Sequence, residues 1–411
     1  MRKMMNGSAA AYLGLDAEPT LSSAGETEIA SAPVWVRTTS PHHLDPSLNE
    51  LAACASEPTA FAEPWFMAAS LRHLELPDTL RLLEVWSGPE EQPLMLGLLP
   101  VMISGRYGRL PMAHVENWRH FHCFLGTPLV RAGREKDFWA AILRFLDGQK
   151  WARGFLHLTV LLGDGPVHQG LAAAARDLGR PCDVVHRSER AMLAAELSPQ
   201  LYYETNVRKK KRKELKRLSV RLAELGKVET RTLSRAEELG PWCDAFLALE
   251  KSGWKGKSGS ALACDPRTEA FFRDVVEDAF AAGRLDMLRL DLDGQPVAML
   301  VNFLTAPGSF SFKTAFDEDF ARFSPGVLIQ LENLRILDRP DIRWMDSCAI
   351  ENHPMINGLW AERRQLVNVS VPLSGAARTI LFRFYRLAEN LWAILKRART
   401  PARHQAVDDH E

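Results

Sequence analysis

Asp293-Gly294 narrows the fold of this chain more than any other pair of residues. It separates two apolar-rich extended runs, Leu285 to Leu292 and Val297 to Leu304. An Asp-Gly pair in that setting specifies a tight hairpin, because both central residues of the turn take positive φ. Ser309 to Phe316 follows as a third extended run, so this stretch predicts an antiparallel meander.

The flanks extend the pattern. Val228 to Leu233 reads as a strand. Ser234-Arg-Ala-Glu has the capping-box spacing and opens a helix to about Lys251. Arg267 to Ala282 is a second helix, stopped by Gly283. After the meander, the polar loop Asp317 to Pro325 leads into a helix over Val327 to Leu337. Ile342 to Met345 is a short strand, Pro354 to Glu362 is helical, and Leu366 to Val371 is a final strand. The order β, α, α, β, β, β, loop, α, β, α, β predicts a mixed α/β (α+β) domain.

That order puts one loop between the last meander strand and a helix N-terminus, where unpaired N–H groups and the positive dipole end favour an anion. Within Arg322-Phe-Ser-Pro-Gly326, Ser324 is placed to cap the helix, Pro325 to fill its first turn, and Gly326 to let a ligand approach the backbone. An ordinary helix start has the same Ser-Pro signature.

At 411 residues the chain exceeds one ordinary core, which predicts two domains. Residues 1–31, rich in Ala, Ser, Gly, Thr and Glu, read as a flexible leader. Residues 32–200 alternate helical and extended signals. Pro64-Trp-Phe opens a helix, Leu80 to Trp86 and Leu94 to Ile103 are strands, and Phe138 to Leu146 is helical. This is a first mixed domain, followed by the second over 201–372. Residues 373–411 hold an amphipathic helix, Arg378 to Lys396, that either packs back on the domains or lies on a membrane surface.

Lys+Arg and Asp+Glu are both 51, so any binding of nucleic acid or lipid must come from a local patch. Two such patches exist: the helix just named and the run Arg208 to Arg217. The six cysteines lack the spacing of zinc sites or disulfide scaffolds, and no metal is expected. The longest apolar stretch, Pro93 to Ser104, falls far short of the roughly 20 residues a spanning helix needs. The first residues lack a secretory apolar run. A cytoplasmic protein is expected, with peripheral contact at the inner face of the membrane through residues 376–399 left open.

Titratable groups gather in Trp344-Met-Asp-Ser-Cys-Ala-Ile-Glu-Asn-His353. Asp346, Glu351 and His353 are each able to take a proton from an attacking amine, directly or through water. A structural backbone bond for Asp346 and a loop hydrogen bond for His353 are the alternatives. Cys348 reads as a small core residue. Lys313 and Asp317 lie at the end of the third meander strand. Trp254 and Lys255 sit in a glycine-flanked loop suited to an acceptor. In Asn117-Trp-Arg-His-Phe-His-Cys-Phe124, strand alternation places His120 and His122 on one side, where a metal is conceivable but lacks a third ligand; the aromatic group, Trp118 included, reads rather as a substrate-pocket wall.

The ordered set Arg208-Lys-Lys-Lys-Arg-Lys-Glu-Leu, Gly253-Trp254-Lys255, Leu292-Asp-Gly-Gln-Pro-Val-Ala298, Phe312-Lys313-Thr-Ala-Phe-Asp317, Phe323-Ser-Pro-Gly-Val-Leu328 and Met345-Asp346-Ser resembles the GNAT-fold acyltransferases of the cellulose-biosynthesis (CelD/BcsL-like) type, relatives of the Fem aminoacyl transferases. The resemblance implies tandem GNAT-like domains. It also implies transfer of an acetyl or longer acyl group from acyl-CoA to an amine or hydroxyl of a polysaccharide, lipid or small molecule, in exopolysaccharide or envelope biosynthesis. Phe316, Arg322, Ser324, Gly326 and Val327 would hold CoA, and Lys313 with Asp346, Glu351 or His353 would act at the thioester. The Arg322 loop has one glycine where small GNAT enzymes have two small residues. A Fem-like donor, aminoacyl-tRNA bound by the basic helix, and a non-catalytic scaffold are the alternatives.

Overall fold

A computed structural model describes residues 32–89, 91–194 and 196–399; the leader expected over 1–31 lies outside these. Thirteen strands are present among them: β1 (Val34–Thr39), β2 (Arg81–Ser87), β3 (Leu94–Ser104), β4 (His114–Asn117), β5 (Leu129–Val130), β6 (Phe155–Leu162), β7 (Asp183–Ala194), β8 (Val228–Thr232), β9 (Leu285–Leu292), β10 (Gln295–Thr305), β11 (Gly308–Phe316), β12 (Trp344–Asp346) and β13 (Glu362–Pro372). They form one sheet in the order β1-β2-β3-β4-β6-β13-β7-β12-β11-β10-β9-β8, with β5 paired to β3 off that path.

The two ends of the sheet are antiparallel meanders, and their middle is where the halves interlock. The last strand, β13, lies antiparallel between β6 and β7. β7, from the first half, in turn pairs with β12 of the second. Each half is thus completed by a strand from the other, which makes the seam a continuous hydrogen-bonded ladder. A parallel junction flanks it on each side. β4 meets β6 over two residues, Val115 and Glu116, and β11 meets β12 over three, Gly308 to Phe310.

Helices cover both faces. In the first half, α1 (Ser47–Ala53) and α2 (Pro64–His73) precede α3 (Glu135–Gly148) and α4 (Pro166–Asp177). Phe138, Trp139, Ile142 and Leu171 of the latter pair bury against Leu99, Leu158 and Val369 of the sheet. Burying each such side chain stabilises by about 1.5–3 kcal/mol. The second half holds α5 (Pro199–Asn206), α6 (Lys209–Ala223), α7 (Ala236–Ser252), α8 (Trp254–Lys257), α9 (Pro266–Ala281) and α10 (Pro325–Glu332); α11 (Ala376–Arg399) follows β13. One apolar cluster joins Phe61 and Phe66 of the first half to Phe246, Phe271, Phe303 and Phe312 of the second.

Several local expectations give way. The helix expected over Pro354 to Glu362 is a series of turns leading into β13, because the segment crosses from one sheet position to another. The helix after the loop starts at Pro325 and tightens to 3₁₀ geometry from Asn333. Ser234 forms no cap: α7 begins at Ala236 behind Arg235 without a side-chain cap, and Glu237 and Glu238 supply acidic charge at its positive end. Residues 118–128 are loop rather than strand, so the alternation that paired His120 with His122 does not apply.

Candidate active site

The geometry of the site begins where β11 leaves β12. Pairing ends at Phe310–Asp346 while β11 runs on to Phe316. From Ser311 onward one edge of β11 therefore faces no strand. Beside it opens a cavity of about 750 Å³, floored by Ser311, Phe312, Lys313, Thr314 and Phe316, and walled by Ser324, Gly326 and Val327 and by the stretches Ser347 to Ile350 and His353 to Ile356. Gln330 holds α10 against this edge, donating to Ser311 Oγ and Thr314 Oγ1, both at 3.2 Å.

The first half has the same kind of parallel junction, but there it is filled. Asn117 Nδ2 donates to the carbonyls of Gly126 (3.0 Å) and Thr159 (3.1 Å), and its Oδ1 accepts from Thr159 N at 2.8 Å. Gly126 N donates to Val160 O at 2.8 Å. A Cβ on Gly126 would lie 2.1 Å from the Thr159 carbonyl oxygen, so only glycine fits this plug.

Lys313 projects into the open cavity, its Nζ 5.3 Å from the centre of the Phe312 ring and 6.0 Å from that of Phe124. Among the described residues it has no ion-pair partner within 4 Å. Burial lowers its pKa to about 8, against the pull of Glu250 and with the help of Lys255. Lys255 is itself tied down, donating to Glu250 Oε1 (2.9 Å) and Thr314 O (3.2 Å). The buried Glu250 also accepts from Leu262 N at 2.8 Å. The glycine-flanked loop expected to suit an acceptor is thus a short helix braced on β11, with Glu318 accepting from Trp254 N and pairing Lys257.

His353 lines the same cavity, and its Nδ1 is buried without a partner among the described residues. Burial, then the charge of Lys255, lowers its pKa below the ordinary value, so the imidazole is neutral near pH 7. Glu351 is exposed two residues earlier and does not line the cavity.

Asp346 does not reach the cavity either. It is fully buried, and its Oδ2 accepts from Arg190 Nη2 (2.8 Å) and Arg364 Nη1 (3.0 Å) while its Oδ1 accepts from Cys348 N (2.9 Å). Burial alone would raise its pKa; the two guanidiniums outweigh that and hold it below the ordinary range. Asp346 therefore fixes the turn through Cys348, whose φ is 54°, and the turn forms the cavity wall. Arg190 reaches the opposite wall, donating to Phe124 O at 2.7 Å. Burial, then the Asp346 charge, raises the Cys348 thiol well above its usual range, which leaves it un-ionised.

Of the residues expected to hold CoA, Phe316, Ser324, Gly326 and Val327 line the cavity; Arg322 is exposed beside it, over the Phe323 ring at 4.8 Å. Ser324 is in the left-handed region, φ 54°, and makes no side-chain cap. Its carbonyl instead takes the N–H groups of Val327 (2.9 Å) and Leu328 (3.1 Å), and Pro325 has none. The first turn thus offers a ligand the N–H of Gly326, a leaner anion site than a full helix terminus. Of the acceptor-side residues, Trp254 and Lys255 line the cavity. Trp118 packs into the first-half core and His122 stacks on Phe271 at 5.4 Å. From their segment it is Phe121 and Phe124 that face the cavity. Phe121, Trp254 and Ile350 are 76%, 58% and 72% exposed, which makes the rim apolar.

Residues 209–353 match the family model described as acetyltransferase (GNAT) domain. Over that span the chain is similar to GNAT acetyltransferase domains. The match runs from α6 through the cavity wall to His353 and so encloses the splayed edge of β11. Among solved structures, the chain is similar to FemX, at 9% identity over 86% of this chain and 100% of that one, with a TM-score of 0.51. It is also similar to a tandem GNAT protein from the clavulanic acid biosynthesis pathway, at 19% identity over 84% of this chain and 100% of that one, with a TM-score of 0.41. The FemX likeness is one of fold. No curated protein matches the sequence. Among the described residues, no helix is long and apolar enough to cross a membrane.

Proposed function

We propose that the chain transfers an acyl group from acyl-CoA to an amine or hydroxyl acceptor in the cleft beside β11, in the manner of the CelD-like enzymes its motifs resemble. The observation that carries this reading is the separation of β11 from β12 after Phe310, which leaves an unpaired strand edge facing a cavity within the span similar to GNAT acetyltransferase domains. Free N–H and C=O groups on such an edge suit the amides of a pantetheine arm, which would add to the sheet as a strand does.

The side chains divide the chemistry. The Gly326 N–H and exposed Arg322 would meet the pyrophosphate, and Phe316 and Val327 the apolar arm. The Lys313 ammonium faces the region where a thioester carbonyl would lie, so it stabilises the oxyanion that forms there. Neutral His353 takes the proton from the acceptor as its nitrogen or oxygen attacks the thioester carbon. The carbon–sulfur bond then breaks, and the CoA thiolate leaves and is protonated by solvent. The apolar rim of Phe121, Trp254 and Ile350 favours an acceptor or acyl chain with an apolar portion.

Calorimetric titration with CoA and acetyl-CoA tests the reading. Binding in the micromolar range, weakened by Gly326→Leu, is expected; no heat at high micromolar concentration defeats it. A second reading rests on the outward cationic side of α6, where Arg208, Lys209, Lys210, Lys213, Lys216 and Arg217 are exposed. If aminoacyl-tRNA is the donor, tRNA binding should fall steeply with salt; filter binding over a salt series decides it.

A further inference from the structure

The C-terminal helix α11 has two faces. Inward, Phe382 is 2% exposed and packs on Phe155 with ring centres 5.5 Å apart. Arg386 Nε donates to Asp183 Oδ2 at 3.1 Å, and Arg378 Nη2 to Ala152 O at 3.1 Å. The packing question left by the sequence is thus answered for one face. Outward, Ile380, Phe384, Leu387 and Leu391 are 68%, 64%, 59% and 53% exposed. Their spacing of four, three and four residues makes a single stripe along the helix, and no described residue covers it.

Beside the stripe, a groove of about 810 Å³ separates α11 from the end of α4 and the start of β7. Arg176, Arg180, Arg383 and Arg386 line it, next to Leu387. Arg386 is paired with Asp183, and Arg180 donates to Asp147 Oδ1 at 3.0 Å. Arg176 and Arg383 are exposed and have no ion-pair partner within 4 Å among the described residues. The α11 sequence itself carries Arg378, Arg383, Arg386, Lys396, Arg397 and Arg399 against Glu389 alone.

We propose that α11 and the arginine-lined groove form a docking surface for an anionic phospholipid membrane, with the stripe entering the acyl boundary and Arg176 and Arg383 meeting headgroup phosphates. Charge selects this occupant. A second copy would bring its own cationic helix against this one and be repelled, whereas an anionic bilayer supplies apolar depth and opposite charge together. The helix docks lengthwise on the protein through Phe382 and Arg386, so it lies along the surface rather than crossing the bilayer.

The test is co-sedimentation of the full chain with vesicles of phosphatidylcholine alone and of phosphatidylcholine with phosphatidylglycerol in equal parts, at low and high salt. Binding to the anionic vesicles only, reversed by salt, is expected. Phe384→Asp with Leu387→Asp, and separately Arg176→Glu with Arg383→Glu, should each weaken it by at least about 20-fold. All four side chains point to solvent, so thermal unfolding of both variants should match the parent. Failure of the intact chain to bind anionic vesicles overturns the proposal, as does parent-like binding by either variant. A dimer in light scattering that the stripe variant dissociates would assign the face to a second copy instead.

Discussion

Arg190 and Arg364 stand directly opposite one another on the antiparallel strands β7 and β13, and both guanidiniums donate to Oδ2 of Asp346. Like charges facing each other across a ladder repel, so the arrangement holds only because a third strand, β12, brings the carboxylate between them. Asp346→Asn should therefore cost about 3–5 kcal/mol in denaturant unfolding, the penalty for leaving buried charges unpaired. The sign of the pH dependence follows from the lowered carboxyl pKa. The stabilisation is complete above about pH 4 and is lost as pH falls through the folded-state value. The gap between parent and variant should narrow in acid. A variant with parental unfolding energy and lost turnover would return Asp346 to a proton-transfer role.

Lys313 predicts opposite effects on stability and on turnover. Its folded pKa, about 8, lies below the value of 10.5 that a lysine has in the unfolded chain. The folded state thus disfavours the cation: the cost is full below pH 8 and is relieved as pH rises from there toward the unfolded value. Lys313→Met should raise the melting midpoint at pH 7 by a few degrees and lower kcat by about 10²-fold. Parental kcat should fall as pH rises through 8. A methionine variant whose pH profile keeps that alkaline limb would show that another group causes it.

His353 governs the acid side. Its pKa is lowered by burial and by Lys255, so the neutral base persists below pH 6.5. Turnover should rise with pH through an apparent pKa under that value. His353→Gln should remove this limb and lower kcat by about 10²–10⁴-fold with little change in CoA affinity. If kcat is unchanged in the glutamine variant, the acceptor loses its proton to water.

What the sequence made legible and what it did not divide along physical lines. The meander was readable because Asp293-Gly294 and the flanking alternation are local: Leu285–Leu292 is the observed strand to the residue. The interlocking of β7 and β13 was not, since nothing near Glu362 encodes pairing with residues 170 positions away. The same holds for the site. Lys313 at a strand end, Trp254 and Lys255 beside glycines and His353 in a titratable loop stand out in the sequence, and all four line the cavity. Asp346 stood out by its place in the family pattern, yet its partners Arg190 and Arg364 come from distant strands and bury it. Trp118 and His122 were chosen on a strand period that the loop at 118–128 does not have. Asn117 and Gly126 gave no sign of their role, because a plug is defined by the gap it fills.

That plug yields the remaining prediction. The two parallel junctions of the sheet differ in that Asn117 and Gly126 seal the one between β4 and β6, while the one between β11 and β12 stands open. The chain should therefore bind one CoA, with a stoichiometry of one per polypeptide in calorimetry. Asn117→Ala removes three hydrogen bonds to backbone groups, two of them buried, each worth about 1 kcal/mol, and strands their partners at further cost. A loss of about 2–4 kcal/mol in unfolding free energy is expected, with the stoichiometry unchanged. A second CoA equivalent in the alanine variant would show that the first-half junction is a blocked site rather than a structural seam.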